Sequence, residues 1–449
     1  MIDESSSHVV FGLSPLMVAT TIFVTAYAAI IVDRVNRAII ALLGAALIIG
    51  SGVLNQEQAI HGVDFNTLGL LMGMMVIVGI TQKCGVFQYL AIKAAKAAKG
   101  EPWGILVMLS VVTAVLSALL DNVTTVLLVA PVTLLIADGL KINPYPLLFA
   151  EINASNTGGA ATLIGDPPNI MIGSATGLSF NQFLVNLAPI AIVAFTITLI
   201  PLWFIYGRNL GATPEAKQQL MAFKENDAIT DKKLLKQSLV VYALVITGFV
   251  LAHPMHLEPA TIAISGAALL LLLITLPLDR EEANEKIHSF FAQVEWITIF
   301  FFIGLFIIIT GVEHAGLLKI LAEWVLDLTS GDFAVTTLAI LWLAAISSSI
   351  VDNIPFVATV IPMIKDMLPI FHEMGIQAEQ LTSLWWALSI GACLGGNGSL
   401  IGASANLIVA GIAERHGVPI RFLPFLKIAF PIMLLQVAVG TIYIWWRYL

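Results

Sequence analysis

Charge is what this chain has least of. Only 11% of its 449 residues are Asp, Glu, Lys or Arg, against 58% that are apolar, and the mean hydropathy is +0.94. So few charges cannot cover a water-soluble surface, and they exclude the basic face that nucleic-acid binding requires. Cysteine is scarce too. Cys84 and Cys393 are the two present, each in an apolar stretch with no CxxC pattern or histidine cluster. A disulfide framework and a zinc site are therefore excluded, no metal site is expected, and both thiols read as small buried hydrophobes. Met1 to Ser7 carries Asp3 and Glu4 but no basic residue, the wrong composition for a signal-peptide leader, so the first apolar run is expected to remain as a span. The fold class that remains is an all-α polytopic membrane protein whose partner is the lipid bilayer.

What the chain does contain is a second copy of itself. Ala118-Leu119-Leu120-Asp121-Asn122 recurs 231 residues later as Ser349-Ile350-Val351-Asp352-Asn353. The same shift carries Asp64 onto Glu295, Gly73 onto Gly304, Gly85 onto Gly316 and Pro131 onto Pro362. With a shift of 237, Gly159 to Gly165 falls on Gly396 to Gly402 and Asn169 on Asn406. Two units follow, 1–206 and 238–449, joined by a polar linker over 207–237 that reads as a cytoplasmic tether.

Apolar runs near 14–32, 37–54, 66–82, 183–205, 238–252, 260–278, 296–312 and 424–446 approach the length needed to cross ~30 Å of hydrocarbon. Residues 103–140 and 333–371 are each too long for one helix and too short for two spans, and each is interrupted at its Asp-Asn pair. They read as re-entrant hairpins. Residues 145–177 and 382–413 are broken by Gly, Pro and Asn, the pattern of a transmembrane helix unwound at its centre. Counting about ten spans plus two hairpins from an outer N-terminus makes the two halves inverted. All 21 Lys and Arg except Lys319, Lys365 and Arg447 then fall inside, in accord with the positive-inside rule, and both termini lie outside.

A carboxylate in the middle of a membrane helix costs ~2.5–3.5 kcal/mol, so Asp121 and Asp352 need partners or a polar cavity. An acid that exchanges a proton for a cation or amide donor is what proton coupling requires. The competing reading is an N-cap, since each Asp precedes a helical run. Beside the tips, the broken helices offer Asn156, Thr157, Gly159, Thr162, Asp166 and Asn169 in one half, and Gly396, Asn397, Ser399 and Asn406 in the other. With Asn122 and Asn353 these form the candidate substrate and ion site. Unwinding frees backbone carbonyls and exposes a helix N-terminus. Asp166 has no counterpart in the second half, where Ala403 stands, and joins Asp121 and Asp352 as a proton-coupling candidate. A turn-forming Asp-Pro is the alternative for it. Glu151, at the start of this polar run, faces either the cavity or another helix.

Thr162-Leu163-Ile164-Gly165-Asp166-Pro167-Pro168-Asn169, Val351-Asp352-Asn353-Ile354-Pro355-Phe356 and Ala392 to Asn406 resemble the ion transporter superfamily of secondary carriers. The resemblance is to its citrate-transporter-like branch, which holds the ArsB arsenite pumps, the NhaD sodium/proton antiporters and the P protein. It implies inverted five-helix repeats, a scaffold and a moving part, and a homodimer in the cell membrane. Related dicarboxylate carriers place Ser-Asn-Thr at each tip. Here Asp121-Asn122-Val123 and Asp352-Asn353-Ile354 stand instead, which disfavours a multivalent organic anion. The expectation is a non-enzymatic carrier without a resident cofactor that exports arsenite or antimonite against protons by alternating access. Asn122, Asn353, Thr162 and Ser399 would bind the solute's hydroxyls. Sodium/proton exchange and anion transport (chloride or dicarboxylate) are the alternatives, with sodium as the other coupling ion, and an ATPase partner is left open. An intramembrane aspartyl hydrolase is more distant, because Leu163 occupies the first glycine of its GxGD motif.

Overall fold

Helices begin where the sequence supplies a cap. Asn36, Asp64, Ser179 and Asp332 accept backbone amides at the starts of their helices, while Pro102, Pro167 and Pro259 take first helical positions, where a missing N–H costs little. The computed structural model describes residues 9, 12–32 and 34–449; the expectation for Met1 to Ser7 lies outside them. Every regular element among the described residues is helical.

The first half runs through α1 (Pro15–Val32), α2 (Arg37–Gly50), α3 (Gln56–His61), α4 (Phe65–Gln82) and α5 (Val86–Ala97). It continues with hairpin arms α6 (Pro102–Leu119) and α7 (Asn122–Leu140), broken-helix segments α8 (Tyr145–Gly159) and α9 (Pro167–Thr176), and α10 (Phe180–Leu202). A linker helix α11 (Pro214–Ala222) leads to α12 (Lys232–Met255), α13 (Pro259–Thr275), α14 (Arg280–Phe291), α15 (Trp296–His314) and α16 (Leu317–Leu328). The second hairpin is α17 (Phe333–Ile350) and α18 (Asn353–Glu373), the second broken helix α19 (Ala378–Gly395) and α20 (Ser404–Arg415), and the last span α21 (Phe422–Tyr448).

Ten described helices are long and apolar enough to cross a membrane. The number matches the sequence count but the membership does not: four are hairpin arms, whereas α2 and α13 have only 14 and 17 residues. Arms of 18 to 21 residues are about 27–32 Å long. A tip held at mid-depth therefore needs tilted arms, or arms whose far ends leave the hydrocarbon.

The inversion is visible in side-chain contacts between the two terminal spans. On α21, Gln436 reaches Thr198 at 2.7 Å and Tyr443 reaches the Asn186 carbonyl at 2.6 Å. Numbers rise along α21 as they fall along α10, so these repeat mates are antiparallel.

In the scaffold, α4 packs on α13 and α2 on α15, each helix pairing with one from the other half. The repeated glycines are explained here. A Cβ on Gly73 would stand 2.6 Å from the Ala263 carbonyl carbon, and one on Gly304 2.5 Å from that of Ala41, so backbone meets backbone at both seams. Gly304→Ala is expected to cost about 1–3 kcal/mol through overpacking, read as a lower thermal midpoint in detergent. Gly50→Ala, whose Cβ meets nothing within 4 Å, is the control. Equal midpoints would refute the close approach.

The hairpins pack against the broken helices of both halves: α6 on α8 and α17 on α19 within a half, α7 on α20 and α18 on α9 across halves. The linker is more than a tether. Lys96 binds Glu225 and the Phe223 carbonyl, Lys217 binds Glu101 at 2.6 Å, and Thr230 donates to the Lys83 carbonyl. The Lys96 ammonium holds the Glu225 carboxyl below the usual range.

Candidate functional site

The two acid-bearing tips converge on one central cavity. Asp121, Asn122, Asn353 and Asp166 line it, with Arg37 and Ser404 beside Asp352. It leaves about 20 Å³ open in this conformation, room for one water-sized species. A scaffold tyrosine grips each tip: Tyr242 donates to the Leu119 carbonyl, and Tyr27 to the Pro355 carbonyl at 2.8 Å.

Both aspartates cap the returning helix; Asp121 also lines the cavity, while Asp352 is bonded to its lining residues Arg37 and Ser404. Asp121 accepts from the Thr124 amide at 2.7 Å and its hydroxyl at 2.6 Å, and forms no ion pair among the described residues. Asp352 accepts from the Ile354 amide at 3.2 Å, from Ser404 Oγ at 2.6 Å and from Arg37 Nη1 at 2.6 Å. Arg37 also donates to Ser404 at 2.7 Å and lies 5.1 Å over the Phe301 ring. The tips are alike in sequence and unlike in charge. Asp166, fully buried in the first half, accepts from Asn353 Nδ2 of the second half at 3.3 Å. Glu295 opens the same cavity at the start of α15, bonded to Thr298 at 3.1 Å. Its repeat mate Asp64 is away from the cavity, satisfied by Thr67 and Ser174.

The remaining sequence candidates lie behind the cavity and hold the breaks open. Asn169 Nδ2 donates to the Thr162 carbonyl and Asn406 Nδ2 to the Ser399 carbonyl, each at 2.8 Å, with second bonds to the Ala160 and Gly396 carbonyls. Carbonyls freed by unwinding are thus taken by asparagine amides. The hydroxyls of Thr162 and Ser399 are given to the Ala118 and Ser349 carbonyls. Gly159 packs on the Gly165 backbone. Asn156 joins the halves, donating to Asn397 at 3.0 Å and to Asn406 at 2.9 Å, while Asn397 bonds Gln436 and Thr157. Cys393 occupies the position equivalent to Asn156 and faces Asn169.

Sequence reasoning missed Arg37, Glu295, Ser404 and Gln436. Arg37 carried a signal: a cation in the first turn of an apolar helix opposes the helix dipole and calls for a carboxylate partner. Glu295 was marked by its alignment with Asp64, read only as register.

Comparison with known proteins adds four likenesses. Residues 27–391 match the citrate transporter family. An uncharacterized transporter of Mycobacterium tuberculosis (strain ATCC 25618 / H37Rv) is 43% identical over 440 residues, covering 96% of this chain and 98% of the relative. The P protein of Homo sapiens is 33% identical over 510 residues, 95% of this chain but 59% of the relative's length. The crystal structure of the Alcanivorax borkumensis YdaH transporter shares the fold, with a TM-score of 0.56 at 13% identity over 96% of this chain and 98% of that one. Paired inverted halves, broken helices and a shared central cavity are a carrier's architecture, and the chain belongs to the citrate transporter family of membrane transporters.

Proposed function

We propose that this chain is a proton-coupled secondary carrier that exports a small neutral hydroxylated solute, arsenite or antimonite, by alternating access. The observation that carries the reading is the cavity's charge: Asp121, Asp166 and Glu295 line it, and the one guanidinium among the lining residues, Arg37, is already bound to Asp352. A free citrate trianion finds no unoccupied cation at such a site. A trihydroxide offers three O–H donors to acceptor-rich carboxylates and carries no charge to repel them. Arg37 and Glu295 begin helices whose starts the basic-residue distribution assigns to the inner side. The tips therefore stand toward the inner ends of the scaffold, and the inverted repeat supplies an outward counterpart by exchanging the two halves' conformations.

The protein is accordingly proposed to lie in the cytoplasmic membrane with both termini outside, as a homodimer, using protons and no resident cofactor. Sodium/proton exchange is the second reading, favoured by the same carboxylates and the water-sized space. Nucleotide-free proteoliposomes with an imposed pH gradient test both. Arsenite accumulation that collapses with the gradient is expected. Sodium flux under the same gradient with arsenite immobile would replace the first reading by the second.

A further inference from the structure

The cavity does not account for Glu151, a second buried acid of the first half. Glu151 is 1% exposed on α8. Thr133 Oγ1 donates to its Oε1, and its Oε2 has no partner. No ion pair among the described residues includes it. The elements packed on α8 bring no cation to it: α6 and α10 carry no ionisable side chain, and α7 carries only Asp138, exposed and bound to His416. On α19 stand Cys393, which faces Asn169, and Glu379 in the first turn; on α20 stand Glu414 and Arg415, exposed in the last turn; on α21, which meets α8 through Phe425 and Phe149, stand Lys427 and Arg447, both exposed; beyond α10, Tyr206 lies edge-on to Tyr145 of α8 itself.

Glu151 approaches the first tip along α8, and on α7 Val126 and Val129 lie between its partner Thr133 and Thr125. It stands one turn before Ser155 on α8, and Ser155 Oγ donates to the Asn122 carbonyl at 2.9 Å. On α7, Asn122, Thr125 and Thr133 fall on a single stripe at helical period, about 16 Å from end to end. Along that stripe Asn122 Oδ1, Thr125 Oγ1 and Glu151 Oε2 are all buried and unpartnered. Buried polar atoms are ordinarily satisfied, so a row of orphaned oxygens ending on a carboxyl marks a route for something that brings hydrogen bonds with it. Of this row the second half keeps only Asn353, the equivalent of Asn122. The equivalents of Thr125, Thr133, Glu151 and Ser155 are Phe356, Ile364, Leu388 and Ala392, although the surrounding helices superimpose in sequence.

We propose that Glu151 with Thr133 is a second proton-binding site, private to the first half and filled from the Asp121 tip along the Asn122–Thr125 stripe. The O–H bond formed on the Glu151 carboxyl oxygen replaces one broken on the Asp121 carboxylic acid at the tip, and the reverse transfer along the same route restores it. The proposal rests on the proton-coupled reading above, and two measurements separate their fates. The first needs no transport: the infrared difference spectrum of purified protein between alkaline and acid pH should lose one carboxylic-acid band in Glu151→Gln, and Thr133→Val should keep that band but move it. The second counts protons per solute in proteoliposomes. Glu151→Gln should lower the count by one while solute counterflow continues, which also shows that the variant is folded. An unchanged spectrum, or an unchanged proton count alongside wild-type flux, would overturn the proposal. A lost band in a protein whose wild type moves no protons with solute would keep the site and remove the coupled reading.

Discussion

Asp121→Asn is expected to abolish proton-linked flux, by about 100-fold or more, the scale of losing a positioned proton-transfer group, while membrane insertion and thermal midpoint stay near wild type. The expectation follows from what the carboxylate does at its two oxygens. One accepts the Thr124 amide at 2.7 Å and caps α7, a task the asparagine carbonyl performs equally well. The other accepts the Thr124 hydroxyl at the cavity edge. Asparagine retains the cap and the shape but cannot gain or lose a proton. The variant should therefore fold, bind solute and support exchange that no longer responds to an imposed pH gradient. Counterflow beside gradient-driven flux in the same vesicles separates the two activities. Gradient-driven accumulation at the wild-type rate would remove Asp121 from the coupling step.

The sequence revealed those parts of the site that are polar residues repeated in apolar surroundings. Asp121 and Asp352 stood out because lipid makes an unpartnered carboxylate costly. Asn169 and Asn406 stood out because the same amide recurs at one register, and the structure shows each reaching back across its break to the carbonyl seven residues earlier. What stayed hidden depends on contacts across hundreds of residues. Arg37 read as one more inner-side base, because nothing local says that the tip 315 residues later will be folded against it. The hydroxyls of Thr162 and Ser399 read as free to meet a solute, because sequence does not disclose that the preceding hairpin presents a carbonyl to each. The spans were legible only when length was read together with the interruptions. Length and hydropathy alone select hairpin arms as readily as true crossings and pass over α2 and α13, which have only 14 and 17 residues; the runs 37–54 and 260–278 and the interruptions at Asp121-Asn122 and Asp352-Asn353 were what separated crossings from hairpins in the sequence.

Arg37→Gln should weaken the conformation described here by about 2–3 kcal/mol, the cost of leaving a buried charge without its partner, a population change of about 30- to 100-fold. The side chain of Asp352 is 10% exposed and that of Arg37 24%. The carboxylate is therefore the member that water cannot rescue, and the estimate falls below the range for fully buried pairs. Arg37 belongs to α2 of the scaffold, whereas Asp352 and Ser404 belong to the second hairpin and broken helix. In the proposed alternating-access cycle the pair therefore ties two bodies that must separate. Removing the guanidinium should free the second tip to leave this position, while Asp352→Asn should remove the charge that needed it. Combining the two substitutions should consequently restore most of what either loses alone. A double-mutant cycle reads this directly. Thermal midpoints and accessibility of a cysteine placed at Ile354, on an otherwise cysteine-free background, should give a coupling of about 2 kcal/mol. Additive losses would show that Arg37 acts on something other than Asp352.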